Sequence, residues 1–110
     1  MSIDSYKQNI ASYKSQIETE KKGIARIKEK ISDVRDDKKR KAESYKSNIA
    51  RASSKDMKTN YRNQKKREWE SIAQKIDGYK SNIETHKRRI SNAREGITNC
   101  RLRIKQIKKS

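Results

Sequence analysis

The 110-residue chain has no phenylalanine and no proline, one tryptophan, one cysteine and three glycines. Only 29% of its residues are apolar, too few for a broad globular core. A single cysteine, Cys100, excludes an internal disulfide, and no Cys/His cluster has zinc-finger spacing. No run of about 18 apolar residues exists, so no membrane-spanning helix is expected. The opening stretch, MSIDSYKQNI, has no apolar h-region, so no cleaved signal peptide is expected. The expected location is cytoplasmic, with export by a route that cleaves no signal as the alternative. There is no nucleophile–base–acid set, no glycine-rich phosphate loop and no metal-ligand spacing. The chain is therefore expected to be no enzyme and to need no cofactor.

What is present is charge. Charged residues make up 41% of the chain, and the formal net charge is +17. Low hydrophobicity with high net charge is the signature of disorder, so any fold must show in the spacing of the apolar residues. It does. Residues 12–24 read SYKSQIETEKKGI and residues 78–90 read GYKSNIETHKRRI, one phrase used twice. With Ile3 at heptad position a, Ile10, Ile17, Ile24 and Ile31 follow at a, and Tyr6, Tyr13, Glu20, Ile27 and Val34 fall at d. In the second half Trp69, Ile76, Ile83, Ile90, Ile97 and Ile104 share the a phase. The matching d positions are Ile72, Tyr79, His86, Ala93, Cys100 and Ile107. Apolar residues sustained at a and d over several heptads predict a narrow coiled-coil seam.

The two seams are out of phase. The best break between them is ASSKD at residues 52–56, where Ser53 or Ser54 is suited to cap a second helix. Folding the chain there aligns the seams: Ile3 meets Ile107, Ile10 meets Cys100, Ile24 meets His86, Ile31 meets Tyr79, and Lys41 lies beside Trp69. The expected fold is all-α: one antiparallel two-helix coiled-coil hairpin over residues 1–110. Arm one runs over about 3–52, the turn lies near 52–56, and arm two runs over about 57–108. A continuous helix that dimerises through a stutter, and a three-helix arrangement broken near DVRDDKKRK, are the alternatives. Gly23 and Gly96 fall inside helices at a cost of about 1 kcal/mol each against alanine.

Position e of the first arm holds Lys7, Lys14, Lys21, Lys28 and Arg35, and position e of the second holds Lys80, Lys87, Arg94, Arg101 and Lys108. In an antiparallel pair these rows lie on one side of the seam. Flanking rows normally carry opposite charges that hold the pair together. Here all ten are basic and form a field of one sign. The bland interpretation is a solvated surface. The functional one is a groove that takes a third body, an acidic helix of another protein or a phosphate backbone.

Other residues are read more plainly. Glu20 and His86 interrupt the seam in adjacent layers, either as tolerated polar residues or as a pH-sensitive contact that fixes register. Cys100 reads as a small hydrophobe at d. Trp69 reads as a seam residue near the tip or as an anchor for a partner. A sequence pI near 10.2 invites phosphate contacts. No DNA- or RNA-binding motif is present, and the five tyrosines fall mostly in the apolar pattern, so only nonspecific nucleic-acid binding is expected. No arm has a wide apolar face to insert into a membrane surface.

A thin helical hairpin with a lone tryptophan, carrying SYKQNIASYKSQIETEKKGI and YKSNIETHKRRI, resembles small helical proteins of bacterial type VII secretion. The closer likeness is to the accessory partners of LXG toxins. The Trp-x-Gly turn of the wider family is replaced here by Trp69-Glu70-Ser71, and no tyrosine is followed four residues later by an acid. The resemblance implies a chaperone or targeting factor that packs beside the long helical domain of a toxin, and the basic e rows suit an acidic toxin helix. A basic coiled coil binding nucleic acid nonspecifically and a self-associating structural rod are the other two expectations.

Overall fold

The computed structural model describes residues 2–109. It consists of α1 (Ile3–Arg51) and α2 (Lys55–Lys109), joined by Ala52, Ser53 and Ser54. The all-α helical hairpin is the architecture the heptads predict, and the link lies within the predicted turn. Arm two begins at Lys55, two residues earlier than expected, directly after Ser54, one of the two serines suited to cap it.

Capping chemistry sets both helix starts. Ser2 Oγ accepts the Ser5 amide at 3.1 Å, and the Ser2 carbonyl accepts the Tyr6 amide at 3.2 Å. At the link, Ser54 Oγ accepts the Met57 amide at 3.1 Å, and its carbonyl accepts the Lys58 amide at 3.2 Å. Each serine thus satisfies an amide that has no partner within its own helix. Asp4 and Asp56 lie in the first turns, and Arg51, Lys108 and Lys109 in the last, each complementing the helix dipole. The Ala52 amide donates back to the Ile49 carbonyl at 3.3 Å and tightens the end of α1.

The chain divides into two compact units. One comprises Met1–Arg26 with Asn82–Ser110 and the other Ile27–Ser81. Each contains a segment of both helices, and most of the burial lies in the first. There Ile17, Ile90, Ala93 and Ile97 form the core, with Ile10, Tyr13 and Ile24 packed against it. Ile83 and Cys100 are also buried. Every one of these is an a or d residue, so the seam is the core. Burying one isoleucine stabilises by about 2 kcal/mol, and on a helix this polar such burial, not intrinsic propensity, supplies the stability. The seam weakens toward the end of α2, where Ile107, expected opposite Ile3, is 38% exposed.

In the second unit Ile27 and Ile31 are buried. Trp69 packs edge-on against Tyr45, with ring centroids 5.9 Å apart and planes at 76°. Lys38 Nζ lies over the indole at 5.4 Å. The ring contacts of Trp69 are thus with Lys38 and Tyr45, while Lys41 pairs with Asp37 at 3.4 Å on its own helix. A lysine at seam position 38 is accommodated because its cation rests on an aromatic face.

Candidate functional site

All ten e-row residues are exposed. Lys7, Lys14, Lys21, Lys87, Arg94, Arg101 and Lys108 belong to the first unit, and Lys28, Arg35 and Lys80 to the second. In the first unit the rows from the two helices meet. Lys21 of α1 and Arg94 and Arg101 of α2 line one depression together with Ile17, Ile97 and Thr98. On a heptad wheel, position a sits next to e. The seam isoleucines thus form the floor and the cations the walls. Two of the seven cations make an ion pair within their own helix, Lys21 with Glu18 at 3.8 Å and Lys87 with Glu84 at 3.6 Å. Such exposed pairs stabilise little. Among the described residues Lys7, Lys14, Arg94, Arg101 and Lys108 make no ion pair, so their charge is available to something else.

The opposite flank has different chemistry. Position g sits next to d, and here the seam closes by insertion. The Tyr13 ring stands against Gly96, and the His86 ring against Gly23, so close that a Cβ on either glycine would overlap the ring. His86 Nδ1 donates to Glu20 Oε2, and Arg89 Nη1 lies 3.7 Å from Glu20 Oε1. Glu20 is 9% exposed and is the buried charged residue among the described residues. A carboxylate only accepts, so this contact places the imidazole proton on Nδ1. Glu20 and His86, read from sequence as neighbouring polar interruptions, thus touch. Arg89 stands at g, three residues after His86 on α2, and the a and d pattern alone does not mark it as their third member.

The second unit has its own recess. Arg62, Lys65, Lys66, Trp69, Glu70 and Ala73 of α2 and Lys38 of α1 line an open depression of about 430 Å³. Positions 62, 65, 66, 69 and 73 recur at helical spacing along one face of α2. Lys65 Nζ lies 5.5 Å from the indole centroid. Trp69 is half-buried, a seam residue that still shows part of its ring. Behind it, hydrogen bonding to Glu68 raises the Tyr45 pKa above its ordinary value, with burial and the Glu68 charge adding to the shift. Glu68 Oε2 is enclosed without a hydrogen-bond partner.

Among the described residues no group of three or more His, Cys, Asp or Glu side chains is placed to hold a metal ion. Among the same residues no helix is long and apolar enough to cross a membrane. Cys100 is buried and free. No family model, no curated protein and no solved structure matches this chain.

Proposed function

We propose that this chain is a non-enzymatic interaction protein that binds an acidic helix of another protein along its open e flank, and that it serves as an accessory or targeting factor for a secreted toxin of type VII secretion. The observation that carries the binding reading is the contrast between the flanks in the first unit. One side is closed by rings seated on glycines. The other is a depression floored by Ile17 and Ile97 and walled by Lys21, Arg94 and Arg101. An amphipathic acidic helix would lay apolar residues on that floor and carboxylates against those walls. Like-charged rows that repel in the free chain would be neutralised by such a partner. The secretion role rests on the resemblance of the helical arms alone.

The net charge of +17 favours a second reading, nonspecific binding to nucleic acid. A tagged pull-down from the native host at about 150 mM salt, with and without nuclease, separates the two. The expected result is one acidic helical protein, retained after nuclease and lost when Lys21, Arg94 and Arg101 are changed to Glu with helicity intact. Loss of every partner on nuclease treatment, or full retention by the charge-reversed variant, overturns the proposal. A stable homo-oligomer that retains nothing would replace it with the structural-rod reading.

A further inference from the structure

The recess around Trp69 is unlike the depression in the first unit. Its apolar lining residues are Trp69 and Ala73, and with them stand four cations, Lys38, Arg62, Lys65 and Lys66, against the single acid Glu70. An apolar lining set among cations fits a ligand of the inverse pattern, an apolar body bordered by anions. Two such ligands exist among macromolecules, an acidic peptide with an apolar side chain and a single-stranded nucleic acid whose base stacks on the ring. The ring separates them. Lys38 and Lys65 hold their ammonium groups over the indole at 5.4 and 5.5 Å, and Tyr45 meets it edge-on. A base stacking on this ring would compete with those two cations for it. An aliphatic side chain needs no stacking face: it would rest beside Trp69 and Ala73 while the carboxylates of its neighbours meet ammonium groups already in place.

We infer that the Trp69 recess is an anchor site for one apolar side chain of an acidic peptide segment, flanked one helical turn to each side by carboxylates that pair with Arg62, Lys65 and Lys66. Lys66 and Ala73 occupy e positions of α2, so the anchor lies on the e flank of its own unit. The inference rests on the reading of that flank as the partner's side. It adds a discrete specificity element, since a charged groove accepts any polyanion while an anchor pocket discriminates one apolar residue from another.

The chain contains a single tryptophan, so its emission reports this recess alone. The probe is a synthetic helical peptide of about four turns built from Glu and Ala, without Trp or Tyr, with one central Leu flanked by Glu. Titrated into the full chain at about 150 mM salt, it should change Trp69 emission saturably. Replacing the central Leu by Ser should weaken binding about tenfold or more, the loss expected when one buried aliphatic side chain is removed. Arg62→Glu with Lys66→Glu should do the same, and both positions are exposed, so the fold is not at stake. Equal responses to the Leu and Ser peptides would overturn the anchor, as would no emission change. Tighter binding of an oligo-dT strand would overturn it in favour of nucleic acid. A further variant, Lys21→Glu with Arg94→Glu and Arg101→Glu, keeps the two proposals apart. Its emission response should be that of the wild type. If that response is lost, the anchor is not an independent site and this inference falls. If the response survives while the partner of the pull-down is also retained, the groove falls and the anchor stands.

Discussion

Three glycines in continuous helix should cost alike by propensity, yet their surroundings predict opposite signs on replacement. A Cβ on Gly96 would sit 2.5, 2.7 and 2.9 Å from Cζ, Cε2 and Cε1 of Tyr13. Carbon atoms in contact lie about 3.5–4.0 Å apart, so three atoms of a rigid ring would overlap the methyl by about 1 Å. The ring cannot simply step aside, because Tyr13 packs on the Ile17, Ile90, Ala93 and Ile97 core. Overpacking of that kind costs about 1–3 kcal/mol, against about 1 kcal/mol gained in helix propensity. Gly96→Ala should therefore destabilise by about 1 kcal/mol. Around Gly78 nothing lies within 4 Å of an added Cβ. Gly78→Ala should keep the whole propensity gain and stabilise by about 1 kcal/mol. The two variants should differ by about 2 kcal/mol, or about 8 °C in melting temperature for a chain of this size. Thermal unfolding followed by circular dichroism measures it. A Gly96→Ala protein melting at or above wild type would refute the close-packed flank. The cause can be isolated by a double-mutant cycle: in a Tyr13→Leu background Gly96→Ala should become neutral or stabilising.

Two further outcomes follow from the buried polar groups. His86→Leu alone leaves the Glu20 carboxylate buried with only Arg89 nearby and should cost about 2 kcal/mol. Glu20→Leu with His86→Leu should be at least as stable as wild type, because an apolar pair avoids desolvating the carboxylate; in urea titrations, a double variant weaker than His86→Leu would refute the contact. For Tyr45 the folded-state pKa is raised, so the folded chain holds that proton more tightly than the unfolded chain does. The stability it contributes is complete below about pH 10, the unfolded tyrosine value, and is lost as pH rises through the folded value. In an absorbance titration of tyrosinate, Tyr45→Phe should remove a step above the ordinary tyrosine value; loss of a step at or below that value would refute the Glu68 contact.

The seam was legible because it rests on one repeated operation, an isoleucine every seventh residue, and the structure buries Ile17, Ile83, Ile90 and Ile97 accordingly. The link was legible through Ser54, whose hydroxyl has the chemistry of a cap. The e rows needed only the heptad phase. What sequence left out are relations across the seam at less than a heptad's resolution. Gly23 and Gly96 read as defects when judged by propensity, yet each is the hole that receives a ring from the facing helix. Register sets Trp69 beside Lys41 but does not show that its ring meets Lys38 and Tyr45. Periodicity gives the row a side chain stands in, while the reach and breadth of that side chain decide whom it touches.

The distribution of burial has a consequence for how the chain folds. Of the buried residues, Ile27 and Ile31 belong to the unit that contains the link, and Ile17, Glu20, Ile83, Ile90, Ala93, Ile97 and Cys100 belong to the unit built from the two outer segments. Those segments approach no closer in sequence than Arg26 and Asn82, 56 positions apart. Closing a flexible loop of that length at random loses chain entropy that grows as the logarithm of its length. Pairing that begins beside Ser53 and Ser54 and advances one helical turn at a time meets only small closures. The order of events then opposes the order of rewards: the first contacts are the poorest in burial, and most of the apolar surface is covered last. A chain arranged this way has little to hold a half-closed state, so its two helices should associate in a single cooperative step.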